Sequence, residues 1–220
     1  MDKRNALIAG ASGLVGNNLL NQLLADSDYD KILILVRKPL AINHNKLIQL
    51  QVDFEKIESL DAGLPIDDVF CALGTTIKTA GSQEAFFKVD FTYVVNLGKW
   101  CSSNSIRRFM VVSAMGANAT SGIFYNRVKG KMEAAVSQLD IEQVHFFRPS
   151  LLMGKRNENR KGEKAAQFIM HILGFLFIGP LIKYRGIHSD KVASAMIAAT
   201  KLGGKGFVVH DSGEMQGKGR

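Results

Sequence analysis

The run Gly10-Ala11-Ser12-Gly13-Leu14-Val15-Gly16 constrains this chain more than any other feature. It has the spacing GxxGxxG. It follows a short apolar run, NALIAG at 5–10, and opens a segment with helical periodicity, LVGNNLLNQLLA at 14–25. Strand, glycine turn and helix in that order make a phosphate-binding βα unit. Gly10 permits the tight turn, Gly13 lets the backbone approach a pyrophosphate, and Gly16 lets the helix pack close to the sheet. The pyrophosphate would sit at the helix N-terminus, where free N–H groups and the helix dipole favour negative charge. Gly10, Ser12, Gly13, Leu14, Val15 and Gly16 are therefore the first expected cofactor contacts.

The same rhythm continues along the 220 residues. Apolar runs at 31–36 (KILILV), 47–52, 68–73, 108–113, 143–148 and 206–210 read as strands. Helical patterns lie between them: 83–102 starting from Ser82, 124–139, 163–178, and 189–201 capped by Ser189. Continuous Val, Ile and Leu strands are buried on both faces, which suits a parallel sheet. Alternation with helices predicts right-handed βαβ units. The expected fold is α/β: a Rossmann, doubly wound parallel sheet with helices on both faces. A small C-terminal substrate lobe, formed mainly by 150–188, completes a single NAD(P)-binding domain over 1–220. The polar, glycine-rich tail after Asp211 is expected to fray.

The end of the second strand reads the adenosine ribose. An acidic residue there would bond the 2′-hydroxyl of NAD, but the chain runs Leu35-Val36-Arg37-Lys38. An arginine can pair bidentately with a 2′-phosphate, so Arg37 predicts NADP(H) over NAD(H). The loops after the third and fourth strands, Asp53-Phe54 and Leu73-Gly74-Thr75, should line the same crevice. Asp53 reads equally well as a helix N-cap.

Ser113 ends the fifth strand, and Tyr125-Asn126-Arg127-Val128-Lys129 follows on the next helix. Tyr125 and Lys129, at i and i+4, share one helix face. A neighbouring ammonium favours the phenolate and is expected to lower the phenol pKa from about 10. Tyr125 could then give a proton to a carbonyl oxygen, or take one from an alcohol. Ser113 would stabilise the charge on that oxygen, and Lys129 could also bond the nicotinamide ribose.

The glycine loop, CALGTT at 71–76, KVDF at 88–91, Ser113 with YNRVK at 125–129, and FRPSLLMG at 147–154 together resemble the short-chain dehydrogenases/reductases. The details VSAMGAN, FYNRVKGKMEAAV and FRPSLLMGKR are similar to the atypical group that includes the Tat-interacting-protein-like oxidoreductases and their small bacterial relatives. The resemblance implies a Rossmann fold, NADP(H) binding and a Ser113-Tyr125-Lys129 site. It places Pro149 to Leu152, and so Pro149 and Leu151, beside the nicotinamide. Two positions depart from the pattern. Asp90 stands where many extended members carry Asn, and the asparagine of the proton relay has only Asn96 as a candidate. Two functions follow: an oxidoreductase on a carbonyl/alcohol substrate, or an NADP(H)-sensing regulator with little turnover. Retention of both Tyr125 and Lys129 favours the enzyme.

Composition narrows the partners. The net charge of +8 divides unevenly, with 10 basic against 12 acidic residues in 1–100 and 18 against 8 in 101–220. Much of the excess lies in 155–185, around an apolar run from Phe168 to Ile178 that contains His171. That segment could be a lid over an apolar substrate, a patch on a membrane surface, or packing against the main domain or a second subunit, and packing is favoured. No nucleic-acid signature accompanies the charge. Cys71 and Cys101 form no metal-binding spacing, so no metal is expected. The expected partners are a small-molecule substrate and, by resemblance, a second copy in a homodimer using helices 82–104 and 124–139. The expected location is cytoplasmic.

Overall fold

The computed structural model describes residues 3–154 and 185–217. Its strands are β1 (Arg4–Ala9), β2 (Tyr29–Val36), β3 (Leu47–Gln51), β4 (Asp68–Cys71), β5 (Arg108–Val112), β6 (Gln143–Arg148), β7 (Leu152–Met153), β8 (Ile187–His188) and β9 (Gly206–Asp211). Its helices are α1 (Leu14–Ala25), α2 (Ile77–Ala80), α3 (Gln83–Phe87), α4 (Tyr93–Ser103), α5 (Phe124–Val136), α6 (Ser189–Ala199) and α7 (Ser212–Gly217). Seven strands form one sheet in the order β3-β2-β1-β4-β5-β6-β9, and every pairing is parallel. β7 and β8 pair separately. The chain turns back between β1 and β4, so a crevice opens at the carboxyl ends of those strands. The fold is the doubly wound Rossmann sheet.

Strand alternation builds a core on each side of the sheet. Ala6 and Ile8 of β1 face one side, with Leu19, Leu20 and Leu23 of α1 and Val192, Ala193 and Met196 of α6. Leu7 and Ala9 face the other, with Val94, Leu97 and Trp100 of α4 and Met132 and Val136 of α5.

Several expectations need correction. The segment 83–102 is helical to Ser103, but a π turn at Lys88–Thr92 joins α3 to α4. The fourth strand stops at Cys71, leaving Leu73 in a loop. Helix α5 stops at Val136, and the Ser137 hydroxyl donates back to the Glu133 carbonyl. Helix α6 is preceded by His188, not capped by Ser189, whose buried hydroxyl accepts from the Asn18 amide at 2.9 Å. The tail after Asp211 does not fray at once. It forms α7, because Met215 is buried and Ser212 donates to the Ser150 hydroxyl at 2.9 Å. The helix expected at 163–178, His171 and most of the expected lobe lie outside the described residues.

A second polar cluster lies at the amino ends of the strands, opposite the crevice. Asp68, fully buried, accepts from Arg4 Nη1 at 2.7 Å, from the Tyr29 hydroxyl at 2.7 Å and from Arg108 Nε. Burial, and then the Asp68 charge, push the Tyr29 phenol up. Burial also pushes the Cys71 thiol up to about 12 and raises Cys101. These groups keep protons in the native state that the unfolded chain releases from about pH 9 upward. Their stabilising contribution is complete below that pH and is lost as pH rises toward the folded values. Urea midpoints are therefore expected to fall steeply between pH 9 and 11; a flat profile over that range would contradict this account.

Candidate functional site

The glycine loop forms the floor of the crevice. Gly10 has φ +92°, and a Cβ there would lie 2.6 Å from the Ala72 carbonyl. The turns after β1 and β4 thus touch backbone to backbone, which only glycine allows. A Cβ on Gly16 would sit 2.0 Å from the Gly10 carbonyl oxygen, so the first turn of α1 closes over the loop. Gly13 is the N-cap residue of α1. No side chain caps this helix, and no acidic residue occupies its first turn. Its leading N–H groups and dipole end remain available to an anion. Ser12 and Gly13 are exposed, Leu14 is half-buried, and Val15 is buried in the core. This cradle fits the pyrophosphate of a dinucleotide.

Arg37 is exposed at the end of β2, and its neighbours Val36 and Lys38 are not acidic. Asp53 is the N-cap of a 3-10 turn, Phe54–Ser59, and accepts from the Glu55 N–H at 3.0 Å. Phe54 is buried in the core, with its ring against Tyr93 at 5.7 Å between centroids. Leu73, Gly74 and Thr75 pass across the mouth between β4 and α2. Pro149 is buried, and its carbonyl accepts from the Met115 N–H at 3.0 Å, tying the loop after β6 to that after β5. Leu151 is exposed, and its carbonyl accepts from the Ile187 N–H. A Cβ on Gly154 would meet the Leu14 side chain at 2.8 Å, so the 149–154 segment reaches the first turn of α1.

Ser113 follows β5 directly. Its N–H donates to the Phe147 carbonyl at 2.7 Å, while its hydroxyl is 97% buried with no hydrogen-bond partner among the described residues. Tyr125 and Lys129 stand one turn apart on α5. Tyr125 is half-buried, and its ring packs against Phe86 at 5.5 Å between centroids. Lys129 is 3% exposed and bonds Asp90 Oδ1 at 2.7 Å.

Asp90 is the group that reading the sequence did not place. It lies in the π turn, 1% exposed, and its other oxygen accepts the Thr75 N–H at 2.8 Å. A Cβ on Gly74 would be 3.4 Å from Asp90 and 3.9 Å from Lys129, so this loop lies directly on the ion pair. The only sequence signal was Asp at a position where Asn is common in extended relatives. Asn96 is corrected: its amide reaches the Thr92 carbonyl and Glu58 on the outer side of α4, not the site. The electrostatic expectation is corrected too. Burial raises the Tyr125 pKa; Lys129 pulls it down, Asp90 pushes it up, and the net effect is upward. Burial alone would lower Lys129, but Asp90, with Tyr125 and Cys71, offsets this and holds it above its ordinary value. Among the described residues no group of three or more His, Cys, Asp or Glu could hold a metal, and no helix is long and apolar enough to cross a membrane.

Comparison with known proteins agrees with this geometry. A family model described as NAD(P)H-binding matches residues 10–148. Protein HTATIP2 of Rattus norvegicus is 34% identical over 76% of this chain and 70% of its own length. Protein FMP52 of Eremothecium gossypii is 30% identical over 88% of this chain and 87% of its own. Among solved structures, the Bordetella bronchiseptica enzyme WbmH in complex with NAD+ superposes with a TM-score of 0.72 at 15% identity, covering 96% of this chain and 77% of that one. UDP-glucose 4-epimerase of Thermotoga maritima gives 0.69 at 15% identity, covering 95% and 77%. These two likenesses support the fold. The fungal relatives are named as mitochondrial proteins, which overturns the expectation of a cytoplasmic location.

Proposed function

The chain belongs to the NAD(P)H-binding family as an atypical short-chain dehydrogenase/reductase, and from that membership we propose that it is an NADP(H)-dependent oxidoreductase acting on a carbonyl/alcohol pair. One observation carries the reading. The Ser113 hydroxyl is buried and, among the described residues, unpartnered just past the carboxyl end of β5, and the next helix in the chain, α5, carries Tyr125 and Lys129. An unpaired buried hydroxyl costs roughly 1–3 kcal/mol, and a substrate oxygen would satisfy it.

The residues present fit the cofactor. The loop Gly10 to Gly16 would hold the pyrophosphate, Leu73 to Thr75 and Pro149 to Leu151 would flank the nicotinamide half, and Lys129 would bond its ribose. Asp53 and Phe54 would contribute near the adenine through backbone, since Asp53 caps its own turn and Phe54 is buried. When bound, the reduced cofactor supplies a hydride. Ser113 orients the carbonyl oxygen and stabilises its developing charge, and Tyr125 exchanges a proton with that oxygen. Phe124, next to Tyr125 and only partly buried, favours a substrate with apolar substituents.

Arg37 supports NADP(H) over NAD(H), since an exposed guanidinium at the end of β2 can hold the 2′-phosphate. Charge-assisted hydrogen bonds contribute about 1.5–3 kcal/mol each. Arg37→Ser is therefore expected to weaken NADPH about 10- to 100-fold in a fluorescence titration and to leave NADH unchanged. Equal or tighter binding of NADH by the unaltered protein would refute the preference.

A further inference from the structure

We propose that Asp90 is a positioning residue that opposes the charge of Lys129 and so, in a buried site, keeps Tyr125 a phenol, the form that gives a proton to a carbonyl oxygen. The proposal rests on the reading of Ser113, Tyr125 and Lys129 given above and adds to it the group that sets the protonation of Tyr125.

The geometry carries the argument. The Asp90 carboxylate is held at both oxygens, by Lys129 Nζ at 2.7 Å and by the Thr75 N–H at 2.8 Å. It cannot swing away while the loop after β4 keeps its course. Lys129 and Asp90 are 3% and 1% exposed, so water does not screen them. A lone buried ammonium one turn from Tyr125 would stabilise a phenolate strongly. An ammonium already bonded to a carboxylate presents a near-neutral pair, and part of that stabilisation is offset.

The π turn at Lys88–Thr92 is the local irregularity that carries Asp90. Such turns inside α-helices recur at functional sites. The groups facing the phenol can be named element by element among the described residues. Lys129 comes from α5 and Asp90 from the π turn. The Cys71 thiol of β4 acts on Lys129 and, pushed up to about 12, stays neutral. Phe86 of α3 and Ser113 after β5 bring no charge. The net upward direction for Tyr125 comes first from burial, and Asp90 adds to it by opposing Lys129.

The chemical step balances. The Tyr125 O–H bond breaks and its proton forms a new O–H bond on the substrate oxygen. The carbonyl carbon gains the hydride, and with it two electrons, from the reduced nicotinamide. The products are an alcohol and the oxidised cofactor, and Tyr125 recovers a proton from solvent.

The test needs neither substrate nor cofactor. Ultraviolet tyrosinate absorbance is followed after pH jumps that precede unfolding, and the curve of Tyr125→Phe is subtracted to isolate Tyr125. The unaltered protein is expected to show no Tyr125 midpoint below pH 10. Asp90→Asn is expected to bring the midpoint down by about one pH unit, and Asp90→Glu to return it. Coincident curves for the unaltered and Asn proteins would overturn the proposal. If the Asn variant does not fold, Asp90→Ser takes its place: a lowered midpoint supports the proposal, and a curve coincident with that of the unaltered protein overturns it. A carbonyl screen with NADPH tests the oxidoreductase reading separately, so either can fail without the other.

Discussion

Asp68→Ala is expected to lower the unfolding free energy by about 3–5 kcal/mol, the usual cost of removing one partner from a buried ion cluster. Asp68 is fully buried at the start of β4 and neutralises Arg4 and Arg108, which arrive from the starts of β1 and β5. It also accepts the Tyr29 hydroxyl from β2. Four strands of the sheet meet on this one carboxylate. Without it, two partly buried guanidinium groups lose the carboxylate they share. A urea titration at pH 7 reads the loss directly. A change within about 0.5 kcal/mol, typical of surface substitutions, would mean the cluster is solvated and structurally idle. The cluster lies at the end of the sheet opposite the crevice, so NADPH affinity of the folded Ala variant should match that of the unaltered protein.

Tyr125→Phe is expected to act the other way round. It keeps the ring that packs on Phe86 and removes only the hydroxyl. Stability and NADPH binding should hardly change, while turnover of a carbonyl substrate should fall about 100- to 10,000-fold, the usual range for loss of a general acid or base. The loss should lie in kcat more than in KM, because the proton moves only as the reaction proceeds. Unchanged turnover would remove Tyr125 from the chemistry and leave Ser113 without a partner in it. The contrast between the two substitutions separates the end of the sheet that holds the fold from the end that would react.

Much of this was legible in the chain itself, for identifiable reasons. KILILV and NALIAG are continuous apolar runs, which only a strand buried on both faces can use. The glycine loop announces its turn because Gly10 and Gly16 each stand where a Cβ would strike backbone. What was hidden depends on distant partners. Lys88–Thr92 keeps helical letters, so nothing local marks the π turn. The role of Asp90 depends on Lys129, which lies on another helix. The tail after Asp211 reads as polar, yet buried Met215, the Ser212 hydroxyl and the Gln216 amide, which donates to the Arg185 carbonyl, dock it. Phe54 looked like an adenine contact because it follows Asp53, but its ring belongs to the core.

The contact between α1 and α6 also bears on how the protein is made. Asn18 and Ser189, hydrogen-bonded across this contact, are 171 residues apart in the chain. At the usual synthesis rate of about 5–20 residues per second, the two are translated roughly 10–30 s apart. For that interval Leu19, Leu20 and Leu23 lack the cover that Val192, Ala193 and Met196 later provide. A nascent chain with an apolar helix face waiting this long is a natural client for a ribosome-bound chaperone. The family-matched stretch, which ends at residue 148, stops before its own first helix can be sheltered.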